Sequence, residues 1–149
     1  MNYITLLLLV GSLVSSSYTI THNSQENSSQ SILVCFTDEY EAIRQAANRN
    51  DCFDDDFLIL LAIRKAENGG KGKEFGVKHE RAWNTNLDTQ AGWAAATIVK
   101  NRVRWRNAGK PATFIEFLGN RYCPKSCDPQ GNINWNRNVN VWFNKLKGK

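Results

Sequence analysis

Seven consecutive apolar residues, Phe57 to Ile63 in the run FLILLAI, follow Asp54-Asp55-Asp56 and lead into Arg64, Lys65, Ala66 and the breaker Asn68-Gly69-Gly70. Acids before and bases after such a run suit a helix dipole, and a helix that is apolar all round must be covered all round. The remaining sequence therefore has to wrap this segment, and with 149 residues in all it can build one domain around it.

Helical patterns for that wrapping are plentiful, whereas alternating strand patterns are scarce. Thr37 can cap a helix whose first turns hold Asp38, Glu39 and Glu41 and whose Tyr40, Ile43 and Ala47 share a face, ending in the turn at 48–51. A third helix is expected from Asp88 or Thr89 through AGWAAATIVKNRVRW, with Ala91, Ala95, Ile98 and Trp105 available for packing. Its alanines permit close helix contact. A short helix around Phe114, Ile115, Phe117 and Leu118 follows Pro111, and a last one is expected from about Arg137, with Val139, Trp142, Phe143 and Leu146 at helical spacing. Trp93, Trp105 and Trp142 are read as core. The stretch from Lys71 to Leu87 carries Phe75 and Trp83 without a helical period, so the expected architecture is mainly α with a small irregular or hairpin lobe.

The N-terminus sets a different address from the body. Ile4 to Val14 is an uncharged apolar run too short to span a bilayer and is followed by Ser15-Ser16-Ser17, which fits a secretory signal over 1–17. The polar stretch 18–31 reads as a linker containing a glycosylation sequon at Asn27, and the folded domain is expected over 32–149. A secreted monomer with no stable membrane insertion follows. Four cysteines in an exported chain point to two disulfides. A local staple between Cys123 and Cys127 would leave Cys35 with Cys52, and pairings that close larger loops stay open. With His22 in the linker, His79 elsewhere and no CxxC, neither a metal nor another cofactor is expected.

Charge is divided unevenly. Residues 1–56 carry eight acids and two bases, a balance of −6, and residues 57–149 carry six acids and seventeen bases, a balance of +11, for the total of +5. A basic body favours polyanionic partners such as nucleic acid, an anionic membrane surface or an anionic wall polymer, or simply keeps the protein in solution.

Glu67 is the residue most able to carry chemistry. At the C-terminal end of the most apolar helix, the helix dipole and nearby apolar surface both disfavour its ionisation, while Arg64 and Lys65 oppose that effect if they approach it. A carboxylic acid kept protonated near neutral pH can donate a proton to a leaving oxygen, as glycosidic cleavage requires. On position alone, an exposed helix-end glutamate paired to a lysine is the commoner outcome.

The run AIRKAENGGKGKEFGVK, Ala62 to Lys78, resembles the start of the catalytic domain in the lysozyme superfamily, especially goose-type lysozymes, soluble lytic transglycosylases and related glucosaminidases. Glu67, Asn68, Gly69 and Gly70 match the helix-end turn that presents the catalytic glutamate there, with Asn68 where the common transglycosylase form has serine. Phe75-Gly76-Val77-Lys78, RYCP from Arg121 and NINWNRNVNVW from Asn132 are similar to further segments, so the likeness extends from about Phe57 to Phe143. It implies a lysozyme-like domain that cleaves β-1,4 bonds between amino sugars of peptidoglycan, with Glu67 as general acid. It also implies that one glutamate can suffice, because the substrate's N-acetyl group or 6-hydroxyl can act as nucleophile.

Candidates for a second carboxylate are Glu74, Glu80 and Asp88, and for Glu74 we expect a loop-bracing role. Sugar sites pair aromatic rings with amides, so Tyr122, Trp135, Asn132 and Asn138, with Gln90 as a weaker case, are candidate substrate contacts; as alternatives Trp135 can be core and the asparagines turn formers or caps. Two rivals differ in class. One is a non-catalytic cationic protein that binds wall polymer or another polyanion. The other is a nucleic-acid binder carried by NRVRWRNAGK, Asn101 to Lys110, although nucleic acid is not the expected partner.

Overall fold

The structure, a computed structural model, describes residues 39–67 and 69–148. The expected signal segment, the linker, the Thr37 cap, Cys35 and Asn68 lie outside the described residues. Five helices account for the described architecture, and no strand occurs among the described residues. They are α1 over 39–48, α2 Asp54–Glu67, α3 Leu87–Asn107, α4 Phe114–Tyr122 and α5 Pro129–Leu146. The domain is mainly α, and the lobe between α2 and α3 is irregular rather than a hairpin.

The apolar run takes the central place its composition demands. Ile59, Leu60, Ala62 and Ile63 are all buried, and α2 packs chiefly against α5 and α3, while α4 closes on α3 and α5. From α1, Ile43, Ala46 and Ala47 join the same core, and Tyr40 meets Phe57 edge-on with centroids 5.8 Å apart. Ala91, Ala94, Ala95 and Ile98 form the buried side of α3, where small side chains bring it close to its neighbours. Each buried Leu or Ile of this kind contributes about 1.5–3 kcal/mol.

Two helix starts differ from the sequence reading. Asn86 caps α3, accepting the Thr89 amide at 2.8 Å, so the helix begins before Asp88. α5 begins eight residues before Arg137: Asp128 caps it through the Gly131 amide at 2.7 Å, and Pro129 stands at its first position, where no amide is missed. The asparagines that read as turn formers are accommodated by bonding back along the helix. Asn136 donates to the Asn132 carbonyl at 2.9 Å and Asn140 to the Asn136 carbonyl at 2.9 Å. A full capping box, Thr113 with Glu116, opens α4.

Cys123 and Cys127 are not joined to one another, so the local staple is not formed in the structure; the Cys35–Cys52 half of that pairing has one member outside the described residues. Burial, reinforced by the negative charge of Asp56, pushes the Cys52 thiol up to about 12, and Cys52 fills the core as a small apolar side chain. No helix among the described residues is long and apolar enough to cross a membrane.

Candidate active site

Where α2 runs out, the chain enters a loop over 69–86 built around a single aromatic plug, Phe75, which is fully buried. Gly72 accepts the Asn84 amide at 2.9 Å and has φ +85°, and a side chain there would press on Asn84 Cα at 2.7 Å. Glu74 and Gln90 lock the loop to α3: Gln90 Nε2 donates to Glu74 Oε2 at 2.8 Å, and the same side chain's Oε1 accepts the Phe75 amide at 3.5 Å. Both are buried, so Glu74 takes the bracing position and Gln90 is its partner.

The loop returns Gly76 to the end of α2. Gly76 has φ +62°, and a Cβ on it would meet the Glu67 carboxylate at 2.5 to 3.0 Å, so only glycine leaves the carboxylate its place. From the opposite side α5 brings Trp135, whose Nε1 donates to Glu67 Oε1 at 2.8 Å. Tyr122, the last residue of α4, stacks on the Trp135 indole with centroids 4.9 Å apart and an interplanar angle of 20°. Its hydroxyl is buried and has no hydrogen-bond partner among the described residues. Burial, and then the negative charge of Glu67, hold this phenol well above its ordinary range, so it keeps its proton and remains a donor. Arg64 is turned away, pairing with Glu39 of α1 at 2.6 Å.

Beside this cluster lies a groove of about 480 Å³. Gly76, which packs on the Glu67 carboxylate, and Tyr122, which stacks on the indole that holds it, belong to its lining, so the partly buried Glu67 lies behind this wall and is not itself a lining residue. The floor is one face of α3, with Trp93, Ala96, Thr97, Lys100, Asn101 and Arg104 at helical spacing, so about 16 Å of helix separates its ends. Lys78 and His79 form one wall and Arg121 contributes from α4. His79 stacks on Trp93 at 4.3 Å.

The candidates named from sequence are thus divided. Glu67, Trp135 and Tyr122 are brought together, with Tyr122 alone of the three lining the groove, and Glu74 and Gln90 brace the loop against α3. Asn132 is fully buried and joins α5 to α4, donating to the Cys123 carbonyl at 2.6 Å and to Asn120 at 3.3 Å. Asn138 is exposed on α5 outside the groove lining. Of the other carboxylates considered, Asp88 pairs with Arg49, and Glu80 is exposed in the loop and does not line the groove. Trp93, read as core, lines the groove instead; the stripe at 93, 96, 97, 100, 101 and 104 was the sequence signal for it.

The basic stretch 101–110 does not act as one face. Arg102 pairs with Asp56 at the start of α2 and lies over the Phe114 ring at 3.4 Å, Trp105 donates to the Ala112 carbonyl at 2.8 Å, and only Asn101 and Arg104 reach the groove. Comparison of the chain with family models, with curated proteins and with solved structures gave no match.

Proposed function

We propose that the protein cleaves β-1,4 bonds between amino sugars of peptidoglycan, with Glu67 as general acid. The observation that carries this reading is the Glu67 carboxylate itself, held at one oxygen by the Trp135 indole and pressed by Gly76, a residue that lines a groove long enough for an extended polymer. Fixing Oε1 with an N–H donor leaves Oε2 as the oxygen that can carry and deliver the proton to the glycosidic oxygen. Tyr122 stacks on that indole and backs the ring that holds the carboxylate.

Glu74 is committed to Gln90 and takes no part in bond breaking. The attacking group therefore comes from the substrate or from water, and Glu67 serves both as acid and, once ionised, as base toward it. Secretion over the 1–17 segment would bring such an enzyme to its polymer.

A non-catalytic binder of anionic wall polymer is the second reading, favoured by the cations along the groove. Mass analysis of soluble fragments released from purified peptidoglycan decides between them. The enzyme releases fragments cut at a glycosidic bond, with one water added across the bond if it is hydrolysed and without that water if the cut cyclises. Binding with no released fragment would overturn the catalytic reading.

A further inference from the structure

Four cations line the groove, Lys78, Lys100, Arg104 and Arg121, and no carboxylate does. Each is exposed, and none is in an ion pair or over an aromatic ring with another described residue. Other bases of the domain are spent internally: Arg64 on Glu39, Arg102 on Asp56 and Lys147 on Asp55. Gathering unpaired like charges in one concave site raises their mutual repulsion, and an anionic ligand relieves it.

We propose that these four residues are specificity determinants that read a free carboxylate on the sugar chain, which in peptidoglycan means a muramic acid whose peptide has been removed. Lys100 and Arg104 are one helical turn apart on the floor, and Lys78 and Arg121 face them from the loop and from α4, so an acid substituent seated on the floor meets cations from three elements. Arg104 and Arg121 can each hold a carboxylate by two parallel N–H bonds. A nucleic acid fits less well. It carries a phosphate on every residue, so one would fall against Glu67, whereas a glycan with acids on only some sugars can leave the Glu67 end neutral.

The polymer's identity rests on the function proposed above, but the groove's preference does not depend on cleavage. The test therefore measures binding on full-length Glu67→Gln protein, by calorimetry at fixed salt, with three tetrasaccharides. One is an N-acetylglucosamine tetramer, one alternates N-acetylglucosamine with N-acetylmuramic acid bearing free carboxylates, and one is the alternating chain with those carboxylates amidated.

The free-acid chain should bind at least tenfold more tightly than both neutral chains. Lys100→Gln with Arg104→Gln should reduce that ratio to within twofold. Arg106→Gln with Arg137→Gln, which removes the same charge from exposed positions outside the lining, should leave it intact. Circular dichroism and melting curves that match the parent keep loss of fold out of the comparison. Equal affinity for all three chains, equal loss from the two double variants, or tighter binding of a single-stranded oligonucleotide than of the free-acid chain would each overturn the proposal. A tenfold preference without cleavage by the wild type would sustain the groove assignment and sink the glycosidase reading, and cleavage without preference would do the reverse.

Discussion

Trp135 and Glu67 are 68 residues apart in sequence and joined by a 2.8 Å hydrogen bond from the indole Nε1 to the carboxylate Oε1. That bond ties the end of α2 to the first half of α5, the segment that the asparagine-rich sequence did not mark as helical. It also leaves Oε2 as the oxygen that the indole does not hold. Trp135→Phe keeps the ring that stacks on Tyr122 and removes only the donor. Because a hydrogen bond to the neutral acid is worth about 0.5–1.5 kcal/mol, cleavage should fall about two- to tenfold, with a comparably small loss of stability. Steady-state kinetics of the folded variant check this, and an unchanged rate would mean that the bond does not position the acid.

Gly76→Ala should damage stability and activity together. The backbone there has φ +62°, and the added methyl would overlap the Glu67 carboxyl group. Strain of this kind costs about 1–3 kcal/mol, and relief by moving the carboxylate pulls it away from the indole. A melting curve lowered by several degrees and a loss of cleavage beyond the unfolded fraction are the expected pair of results.

The loop brace makes the opposite prediction for Glu74. In Glu74→Ala the buried Gln90 amide loses its 2.8 Å acceptor, which should cost about 1–3 kcal/mol of stability. The variant that remains folded should keep most of its activity. Equal loss of rate at Glu74→Gln and Glu67→Gln, with both folded, would point to two working carboxylates.

Much of this architecture was legible because it follows from local chemistry. The run 57–63 demanded a central helix, and its charged ends set its direction. The start of α5 was not legible, because Asn136 and Asn140 have poor helix propensity until their amides bond back to carbonyls one turn earlier, and Asn132 until its amide reaches across to Asn120 and Cys123, gains that appear only once the helix is formed and packed. The site was legible in part for a related reason. An amide that reads a sugar and an amide that braces a core are the same side chain, and only packing separated Gln90 and Asn132, both fully buried, from a groove contact. Trp93 had the helical spacing of a core residue, and its stripe faces the groove because α2 and α4 cover other sides of α3.

The α4 cap gives a pH-dependent contribution with a defined sign. Hydrogen bonds from the Thr113 hydroxyl and amide hold the Glu116 carboxyl below its usual range. A depressed folded-state value means that the stabilisation is present above the unfolded value of about 4.3 and is lost as pH falls through the lower folded value. Thr113→Ala should cost about 1 kcal/mol at neutral pH, and the gap between wild type and Glu116→Gln should close as the pH of the melt falls through the lowered folded-state value.

Arg102 separates structure from surface charge. It is half of the ion pair with Asp56 and covers Phe114, so Arg102→Gln should lower the melting temperature, whereas Arg106→Gln, at an exposed position in the last turn of α3, should leave it unchanged. Equal melting temperatures for the two variants would show that the Arg102 contact contributes nothing.

The central claim is that the Glu67 carboxyl group delivers the proton. Its most direct measurement is the rate of fragment release from purified peptidoglycan by wild type and Glu67→Gln, both shown to be folded by matching melting curves. The amide keeps the shape and can still meet Trp135 through its carbonyl, but it cannot supply the proton, so release should fall to background, at least a thousandfold, or about 4 kcal/mol of barrier. Release by Glu67→Gln within tenfold of wild type would contradict the account.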